Sequence, residues 1–307
     1  MKILAVGSIA FDTIKTPFVS GKNVLGGSLT YFSLAASHFA KIYPVGVVGR
    51  DFKPKHFKLY RKHNINSQGL TRAAGKTFSW SGQYDYDFNN RKTVYTHLNV
   101  FANFDPVLPT AYKSIPYLFL GNMDPQLQLN ICRQTANPRL IVADTMNYWI
   151  ERKRKELLRT LRLIDILIIN DAETRQLAKE HNLYKAARKI VSLMKPTRRG
   201  GSPTLIIKRG EYGLLMFTRK NWFSLPAFIL EDVFDPTGAG DAFAGGFVGF
   251  LSRQKHLNEK SFRKATMYGT IMASFCVEQL GPKKLITLKR RQIQERFKKF
   301  KKLFALI

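Results

Sequence analysis

Cysteine is scarce in this chain of 307 residues, which contains only Cys132 and Cys276. The two lie far apart in the sequence, and each falls within a mostly apolar pattern typical of a helix. Two such cysteines make no disulfide framework of the kind that stabilises small secreted domains. We therefore expect the protein to work in the reducing cytoplasm.

Long hydrophobic runs and several familiar motifs are also missing. No segment approaches the ~20 consecutive apolar residues that cross a bilayer, so we expect no membrane partner. The apolar run from Ile3 to Phe11 ends at Asp12 without a small-residue cleavage pattern, which indicates a strand and not a signal peptide. The absence of Gly-x-x-x-x-Gly-Lys-Ser/Thr, His-Glu-x-x-His and Cys-x-x-Cys excludes a P-loop enzyme and these zinc-site spacings.

Acidic residues are few as well, since 21 Asp and Glu stand against 50 Lys and Arg, a formal charge of +29. Such a charge invites a nucleic-acid interpretation. The basic clusters are scattered, however, mostly on polar faces of predicted helices, at residues 152–155, 198–199, 289–291 and 298–299. We therefore favour solvated helix faces over a dedicated nucleic-acid surface, with the charge available to attract anionic substrates.

Solid apolar strands alternate with helical patterns along most of the chain. The predicted strands cover residues 2–12, 42–48, 117–121, 140–144, 164–170 and 204–208. This alternation predicts an α/β fold with a mostly parallel sheet wrapped by helices. Ligands collect at the carboxyl ends of such strands, which makes Asp12 a candidate to bind the hydroxyls of a polyol. A solvated loop or capping role for Asp12 is the open alternative.

Residues 76–99 follow a different pattern, with partial alternation of period two on either side of Asn89-Asn90. This predicts a β-hairpin with a turn at the two asparagines. A lone hairpin is marginal in water, so we expect it to pair with residues 13–25 or with a partner chain. We interpret it as a lid over the carboxyl ends of the sheet. Its aromatic residues are able to stack on a substrate ring, but packing of the lid or of a dimer interface is favoured.

Residues 235–243 carry the strongest candidate chemistry. Gly238 and Gly240 precede a buried helical run, and the free N–H groups of a helix start bind anions. Asp241 falls in the first turn, where the helix dipole favours its ionised form. It is therefore placed to accept a proton beside a site that stabilises negative charge, as phosphoryl transfer requires. An Asp that only caps a glycine-rich turn is the alternative.

Three shorter motifs are compatible with ligand binding and with plain structure. The pair Gly26-Gly27 at a helix entrance lets the backbone approach a ligand, or makes an ordinary turn. Asn170 and Glu173 share a helix face and are able to hold hydrated magnesium. A helix N-cap with Glu at the third position has the same sequence pattern, and taken alone this pattern favours the cap. Lys208 ends a strand, where its side chain either binds a phosphate or is exposed to solvent.

Taken in order, these motifs resemble the ribokinase (PfkB) family of carbohydrate and nucleoside kinases. The resemblance covers nearly the whole chain and rests on residues 7–12, Gly26-Gly27, Asn170-x-x-Glu173, Lys208-x-Gly210-x-x-Gly213 and residues 235–241. It implies a three-layer αβα fold with a mostly parallel central sheet and a small β lid. Residues 1–307 would form a single domain, with lid insertions at about residues 13–28 and 70–112.

The same resemblance implies transfer of a phosphate from ATP, with Mg²⁺, to an alcohol. By matched position, Asp241 would be the general base and Gly238, Ala239 and Gly240 the anion hole. Asn170 and Glu173 would organise magnesium through water. The ATP side would further comprise Lys208, Gly210, Thr237, Gly238 and Gly240, and the acceptor side Asp12, Gly26, Gly27 and Tyr31. Family members often bind a monovalent cation near Asp235, and whether this chain does stays open.

One departure from the family pattern bears on the acceptor. Many members place an Asn a few residues after the glycine pair, whereas this chain has Thr30-Tyr31-Phe32. An aromatic ring replaces a small group that both donates and accepts hydrogen bonds, which puts a ribose-like or fructose-like acceptor in doubt. We still expect a small-molecule kinase acting on a sugar. The alternatives are a nucleoside kinase, favoured by Tyr31, Phe32 and the aromatic lid, and a nucleic-acid-binding protein with a kinase-like fold. The sequence also leaves undecided whether the protein forms a homodimer through the lid.

Overall fold

The structure is a computed structural model that describes residues 1–88, 91–197 and 201–303. The turn predicted at Asn89-Asn90 and the basic pair Arg198-Arg199 lie outside the described residues. Its strands are β1 (Lys2–Val6), β2 (Ala10–Lys15), β3 (Ser20–Gly26), β4 (Lys41–Val48), β5 (Leu70–Arg72), β6 (Phe78–Tyr84), β7 (Arg91–His97), β8 (Tyr117–Leu120), β9 (Leu140–Asp144), β10 (Ile166–Asn170), β11 (Thr204–Lys208), β12 (Leu214–Phe217) and β13 (Trp222–Leu225). Its α-helices are α1 (Ser28–Ala36), α2 (Pro54–Lys62), α3 (Pro125–Gln134), α4 (Asn147–Arg152), α5 (Arg154–Leu161), α6 (Asp171–Ala178), α7 (Leu183–Leu193), α8 (Ala239–Ser252), α9 (Glu259–Cys276), α10 (Lys283–Thr287) and α11 (Arg290–Lys302).

The chain divides into two compact units. The first unit contains residue 1, residues 7–104 and the chain from residue 228 onward, and the second contains Lys2–Val6 and Asp105–Ala227. The prediction that residues 1–307 act as a single domain stays a prediction. Among the described residues, no helix is long and apolar enough to cross a membrane.

The second unit is built on parallel strands. Strands β1, β8, β9, β10 and β11 lie side by side and parallel in that order, and β12 and β13 extend the sheet antiparallel. Every residue of β8 and β9 is buried, as expected where helices cover both faces of a sheet. The predicted α/β class with a mostly parallel sheet is therefore confirmed.

The first unit contains a helical layer in which α8 packs against both α1 and α9. The helix α8 is apolar almost throughout, and its residues from Ala242 to Ser252 are all buried. Phe32 on α1, Phe247 on α8 and Met272 on α9 have no exposed surface and form part of this core. Strands β4 and β5 pair in parallel within the same unit.

A separate four-stranded sheet in the first unit has the order β3-β2-β6-β7. Strands β6 and β7 are antiparallel, which confirms the predicted hairpin, and β6 pairs in parallel with β2, as expected for residues 13–25. Phe18, Tyr86 and Val94, on or beside this sheet, are exposed apolar side chains. The role of the sheet as a lid and a dimer interface through it stay predictions.

The prediction of one strand over residues 2–12 is wrong. Strand β1 ends at Val6, and Asp12 lies in β2, within the four-stranded sheet. The interruption has a tertiary cause, because Ser8 is hydrogen-bonded to the start of α1, 20 residues away in the sequence. The backbone N–H of Ser8 donates to the hydroxyl of Ser28 (3.3 Å), and the N–H of Leu29 donates to the carbonyl of Ser8 (2.9 Å).

Glycines on α8 allow neighbouring helices to approach its backbone. A Cβ added at Gly245 would lie 2.5 Å from the carbonyl oxygen of Phe32 on α1. A Cβ added at Gly249 would instead meet atoms of the Phe39 side chain, the nearest at 2.8 Å. A backbone carbonyl is fixed by its helix, whereas a side chain is able to move. The two positions therefore differ in how far they tolerate a methyl group.

We predict that Gly245→Ala destabilises the protein by about 1–3 kcal/mol, the usual cost of overpacking a core. Gly249→Ala is the matched control, because it gains the same helix propensity of about 1 kcal/mol but displaces only a side chain. Urea denaturation of both variants measures the difference in the free energy of unfolding. Equal stability of the two variants would contradict backbone contact between α1 and α8.

Candidate functional site

The turn before α8 is fixed by a buried carboxylate. Asp235 is completely buried, and its two carboxylate oxygens accept the backbone N–H groups of Thr237 (2.9 Å) and Gly281 (2.7 Å). Burial raises the pKa of Asp235, whereas these hydrogen bonds lower it. A buried carboxyl group without such partners would cost several kcal/mol or more, on the order of 2–7. Asp235 therefore ties the turn to the chain that follows α9.

Gly238 caps the start of α8 in a conformation that favours glycine. Its φ is +77°, in the left-handed region, and an added Cβ would lie 2.3 Å from ring atoms of Tyr31. A side chain at this position would meet backbone strain and a steric clash. The close approach of Tyr31 thus explains why the first glycine of the motif is needed.

Asp241 is the third residue of α8 and is partly exposed. First-turn N–H groups have no acceptor within their own helix, and Gly240 belongs to that turn. The N–H of Ala239, one of the three predicted anion-hole residues, donates to the carbonyl of Pro236 (3.2 Å). The helix start nevertheless places a carboxylate and backbone donors side by side, as the sequence predicted.

Asp12 lies beside the glycine pair, in a space that a side chain would fill. Its carboxyl group is 3% exposed and accepts a hydrogen bond from the N–H of Gly27. A Cβ at Gly26 would lie 1.9 Å from a carboxylate oxygen of Asp12. Gly27 has φ +86°, and its own Cβ would lie 2.5 Å from the carbonyl of Ser8. Both glycines are therefore required for the position of Asp12.

Two neighbouring carboxyl groups, those of Asp235 and Asp241, act on the carboxyl group of Asp12. Burial, together with the nearby charges of Asp235 and Asp241, raises the pKa of Asp12 from 3.8 to about 8, although the Gly27 hydrogen bond opposes the shift. Carboxylates that share a site cannot all ionise without repulsion. Asp12 is therefore mostly protonated at neutral pH, when it is able to donate as well as accept a hydrogen bond.

Tyr31 is fully enclosed between these groups. Its ring lies against Gly238, and its hydroxyl is buried with no hydrogen-bond partner among the described residues. Burial raises the pKa of the Tyr31 hydroxyl, and so do the charges of Asp12 and Asp235. The residue predicted on the acceptor side thus sits between Asp12 and the turn that begins α8.

Thr237 contacts the four-stranded sheet, a contact that the sequence did not indicate. Its hydroxyl donates to the hydroxyl of Tyr84 at the end of β6 (3.0 Å). Tyr84 is buried, and burial raises the pKa of its hydroxyl. No local pattern identifies Tyr84, because it is one of several aromatic residues in the hairpin and its partner lies 153 residues away.

In the second unit, Asn170 and Glu173 form a reciprocal helix cap. The N–H of Glu173 donates to the amide oxygen of Asn170 (2.7 Å), and the N–H of Asn170 donates to the carboxylate of Glu173 (2.8 Å). The capping interpretation is therefore confirmed at the start of α6. Both side chains remain partly exposed, and the expected role in binding magnesium through water stays a prediction.

Lys208 lies beside Asn170, since the two residues are register partners on β11 and β10. Its side chain is only 21% exposed, and its Nζ lies 3.4 Å from a carboxylate oxygen of buried Asp144 at the end of β9. Burial raises the pKa of Asp144, whereas Lys208 lowers it. Gly210 follows with φ +55°. The sequence could have indicated Asp144, because it ends a parallel strand, as the predicted site residues Asn170 and Lys208 do.

The structure thus places the predicted residues in two groups. Asp12, Gly26, Gly27, Tyr31, Thr237 and residues 238–241 lie in the first unit, and Asn170, Glu173, Lys208 and Gly210 lie in the second. Within residues 1–88, 91–197 and 201–303, no three His, Cys, Asp or Glu side chains are grouped to hold a metal ion.

Comparison with known proteins adds a family match. The model of the pfkB family carbohydrate kinase matches residues 20–287. Cytidine kinase of Thermococcus kodakarensis is 27% identical over 267 residues, which cover 84% of this chain and 91% of that protein.

Two solved structures show the same fold. The crystal structure of Methanocaldococcus jannaschii nucleoside kinase, an archaeal member of the ribokinase family, has a TM-score of 0.77 at 20% identity and covers 97% of this chain and 98% of its own. Aminoimidazole riboside kinase from Salmonella enterica, complexed with aminoimidazole riboside and an ATP analogue, has a TM-score of 0.75 at 17% identity. The match covers 97% of this chain and 100% of that chain. The expected ribokinase-like fold is therefore confirmed.

The raised pKa of Asp12 predicts a pH-dependent stability difference between the wild type and Asp12→Asn. Below pH 4 the carboxyl group is protonated in the folded and unfolded states alike, because its unfolded pKa is near 3.8. As the pH rises to about 8, the unfolded state releases this proton and the folded state holds it, so the wild type loses stability relative to Asp12→Asn. Melting temperatures of both proteins from pH 4 to 9 measure the divergence, and parallel curves would contradict the buried, protonated carboxyl group.

Proposed function

The chain belongs to the pfkB family of carbohydrate kinases and is a phosphotransferase with an alcohol acceptor, and we propose that this acceptor is a nucleoside. The match to the cytidine kinase extends over most of both chains. The named structural neighbours are a nucleoside kinase and a riboside kinase. These relatives favour the nucleoside alternative over the sugar that the sequence first suggested.

The observation that carries the catalytic proposal is the position of Asp241. It is partly exposed in the first turn of α8, within electrostatic reach of Asp12. In the proposed reaction, Asp241 accepts the proton of the acceptor hydroxyl as the oxygen of that hydroxyl bonds to the γ-phosphorus of ATP, while the bond from this phosphorus to the β–γ bridging oxygen breaks and ADP leaves. The N–H of Gly240 stabilises negative charge on the transferred oxygens.

The acceptor would lie against Asp12 and the glycine pair. A mostly protonated carboxyl group both donates and accepts hydrogen bonds, which suits two neighbouring hydroxyls of a ribose ring. The bond from the Gly27 N–H holds the carboxyl group in place. Tyr31 occupies the place where many family members have a small amide, so a buried aromatic ring fills the space beside Asp12. A nucleoside has a second ring system that offers apolar contact, which a free sugar lacks.

The nucleotide would be bound by the second group of residues. The kinases of this family use ATP, which would supply the γ-phosphoryl group. Lys208 provides a cation at the carboxyl end of β11, and Asn170 and Glu173 provide oxygen atoms beside it, a set that fits phosphates and a hydrated Mg²⁺. The ion would neutralise phosphate charge. In the absence of phosphates, Asp144 partly neutralises Lys208.

A kinetic panel of nucleosides and sugars tests this proposal. We predict that at least one ribonucleoside has a kcat/KM about 100-fold or more above that of ribose and fructose. A site shaped for a base stabilises the transition state of a sugar alone only weakly, because the contacts with the base are missing. Production of ADP and of the phosphorylated acceptor is measured together. Asp241→Asn, purified in parallel, controls for contaminating kinases. A higher kcat/KM for ribose or fructose would favour the sugar instead, and no phosphorylation of any acceptor would contradict the kinase assignment.

A further inference from the structure

A cavity of about 160 Å³ lies in the first unit, at the end of α8 opposite to Asp241. Its lining residues come from the turn after α1 (His38, Phe39), the end of α8 (Phe250, Arg253), α9 (Tyr268) and the start of α11 (Arg290). Twelve residues of helix, a rise of about 18 Å, separate Asp241 from Arg253. The cavity is therefore distinct from the anion hole at the start of α8.

One wall of the cavity is aromatic and well packed. The rings of Phe250 and Tyr268 are stacked, with centroids 4.6 Å apart and planes at 14°. Phe39 meets the edge of Tyr268 at 5.6 Å. Tyr268 also stacks on Phe297 of α11, with ring centroids 4.5 Å apart, so α11 supports the wall. These contacts fix the positions of the rings that form the wall.

The two guanidinium groups at the cavity lack acidic partners. In the described part of the chain, neither Arg253 nor Arg290 forms an ion pair. Other arginines on the same helical elements are paired: Arg291 with Glu295, and Arg296 with Glu278. Arg253 and Arg290 both act electrostatically on the phenol of Tyr268, lowering its pKa against the effect of burial, which shows that both lie near it.

The position of Arg290 makes the unbalanced charge more unfavourable. It is the first residue of α11, where the positive end of the helix dipole repels a cation. An anion near this helix start would be attracted by the dipole and by the guanidinium together. No carboxylate lines the cavity in the ranges that the structure describes.

His38 adds a buried polar atom without a partner. Its Nε2 is inaccessible to solvent and has no hydrogen-bond partner among the described residues. Burial lowers the pKa of His38 to about 4, and the ring interacts with the backbone of Leu285. The ring is therefore neutral at neutral pH, and because a ligand in the cavity cannot reach this enclosed nitrogen, His38 contributes an uncharged part of the wall.

We propose that this cavity binds a compact phosphate anion, with Arg253 and Arg290 contacting its charged oxygens. Guanidinium groups match phosphate geometry and form strong, charge-assisted hydrogen bonds. The volume limits the ligand, because a cavity of about 150 Å³ accommodates benzene. The ligand is therefore orthophosphate or the phosphate group of a small metabolite that extends into solvent. A whole nucleotide is too large.

Calorimetric titration of the full chain with potassium orthophosphate tests the proposal. Chloride keeps the ionic strength constant, and a saturating non-hydrolysable ATP analogue occupies the catalytic anion hole. We expect saturable binding of orthophosphate that Arg253→Gln and Arg290→Gln each weaken about tenfold or more. Both side chains are exposed on helix surfaces, so these variants keep the fold, which far-ultraviolet circular dichroism checks.

Arg291→Gln is the matched control, since it removes the same charge from the adjacent residue of α11, where the guanidinium is paired with Glu295. Its phosphate affinity should stay within about twofold of the wild type. A second titration with ribose 5-phosphate separates the sources: tighter binding of orthophosphate identifies the free ion, and tighter binding of the ester identifies a phosphorylated metabolite. Absence of binding, or an equal loss of affinity in all three variants, would overturn the site. The readout is heat of binding and not turnover, so it is independent of whether the nucleoside assignment holds.

Discussion

The carboxylate of Asp235 is the constraint from which the turn before α8 follows. It accepts hydrogen bonds from the backbone N–H groups of Thr237 and Gly281, which lie before α8 and after α9. The backbone N–H of Phe234 donates to the carbonyl of Val277 (2.9 Å), which joins the same two segments. A buried acceptor of this kind must be satisfied, so the chain before α8 has one favourable course. That course sets the left-handed conformation of Gly238 and hence the first residue of α8.

The same buried charge affects the acidic residues around it. Asp235 raises the pKa of Asp12 and also adds to the high pKa of Tyr31 and of the Cys276 thiol. Protonation of Asp12 reduces repulsion in a site with three carboxyl groups. Asp241 is the one that solvent reaches, and it is also the one that lies in the first turn of α8. Burial thus separates the enclosed carboxyl group of Asp12, which we propose contacts the acceptor, from the partly exposed carboxyl group of Asp241, which we propose accepts its proton.

The sequence predicted what depends on local pattern. Continuous apolar runs predicted the parallel strands of the second unit. The order of residues 235–241 predicted a glycine-rich turn that leads into α8. The Asn170–Glu173 cap was also predictable, because both partners lie within one helical turn. These features need no knowledge of the tertiary structure.

The features that the sequence missed depend on distant contacts. The break after Val6 reflects the bonding of Ser8 to Ser28, 20 residues away, and no apolar pattern signals it. The contacts of Thr237 with Tyr84 and of Lys208 with Asp144 join residues 153 and 64 positions apart. The proposal of a nucleoside acceptor likewise depends less on motifs than on a relative that aligns over most of the chain, although Tyr31 had already put a ribose-like or fructose-like acceptor in doubt.

Single-turnover phosphoryl transfer in Asp241→Asn tests most directly whether the start of α8 is the catalytic centre. With enzyme in excess over a nucleoside that the wild type phosphorylates, the transfer rate should fall about 10²- to 10⁴-fold, because asparagine cannot accept the proton. Calorimetry should show acceptor binding within a few-fold of the wild type. Transfer at the wild-type rate would contradict the role of Asp241 as the base.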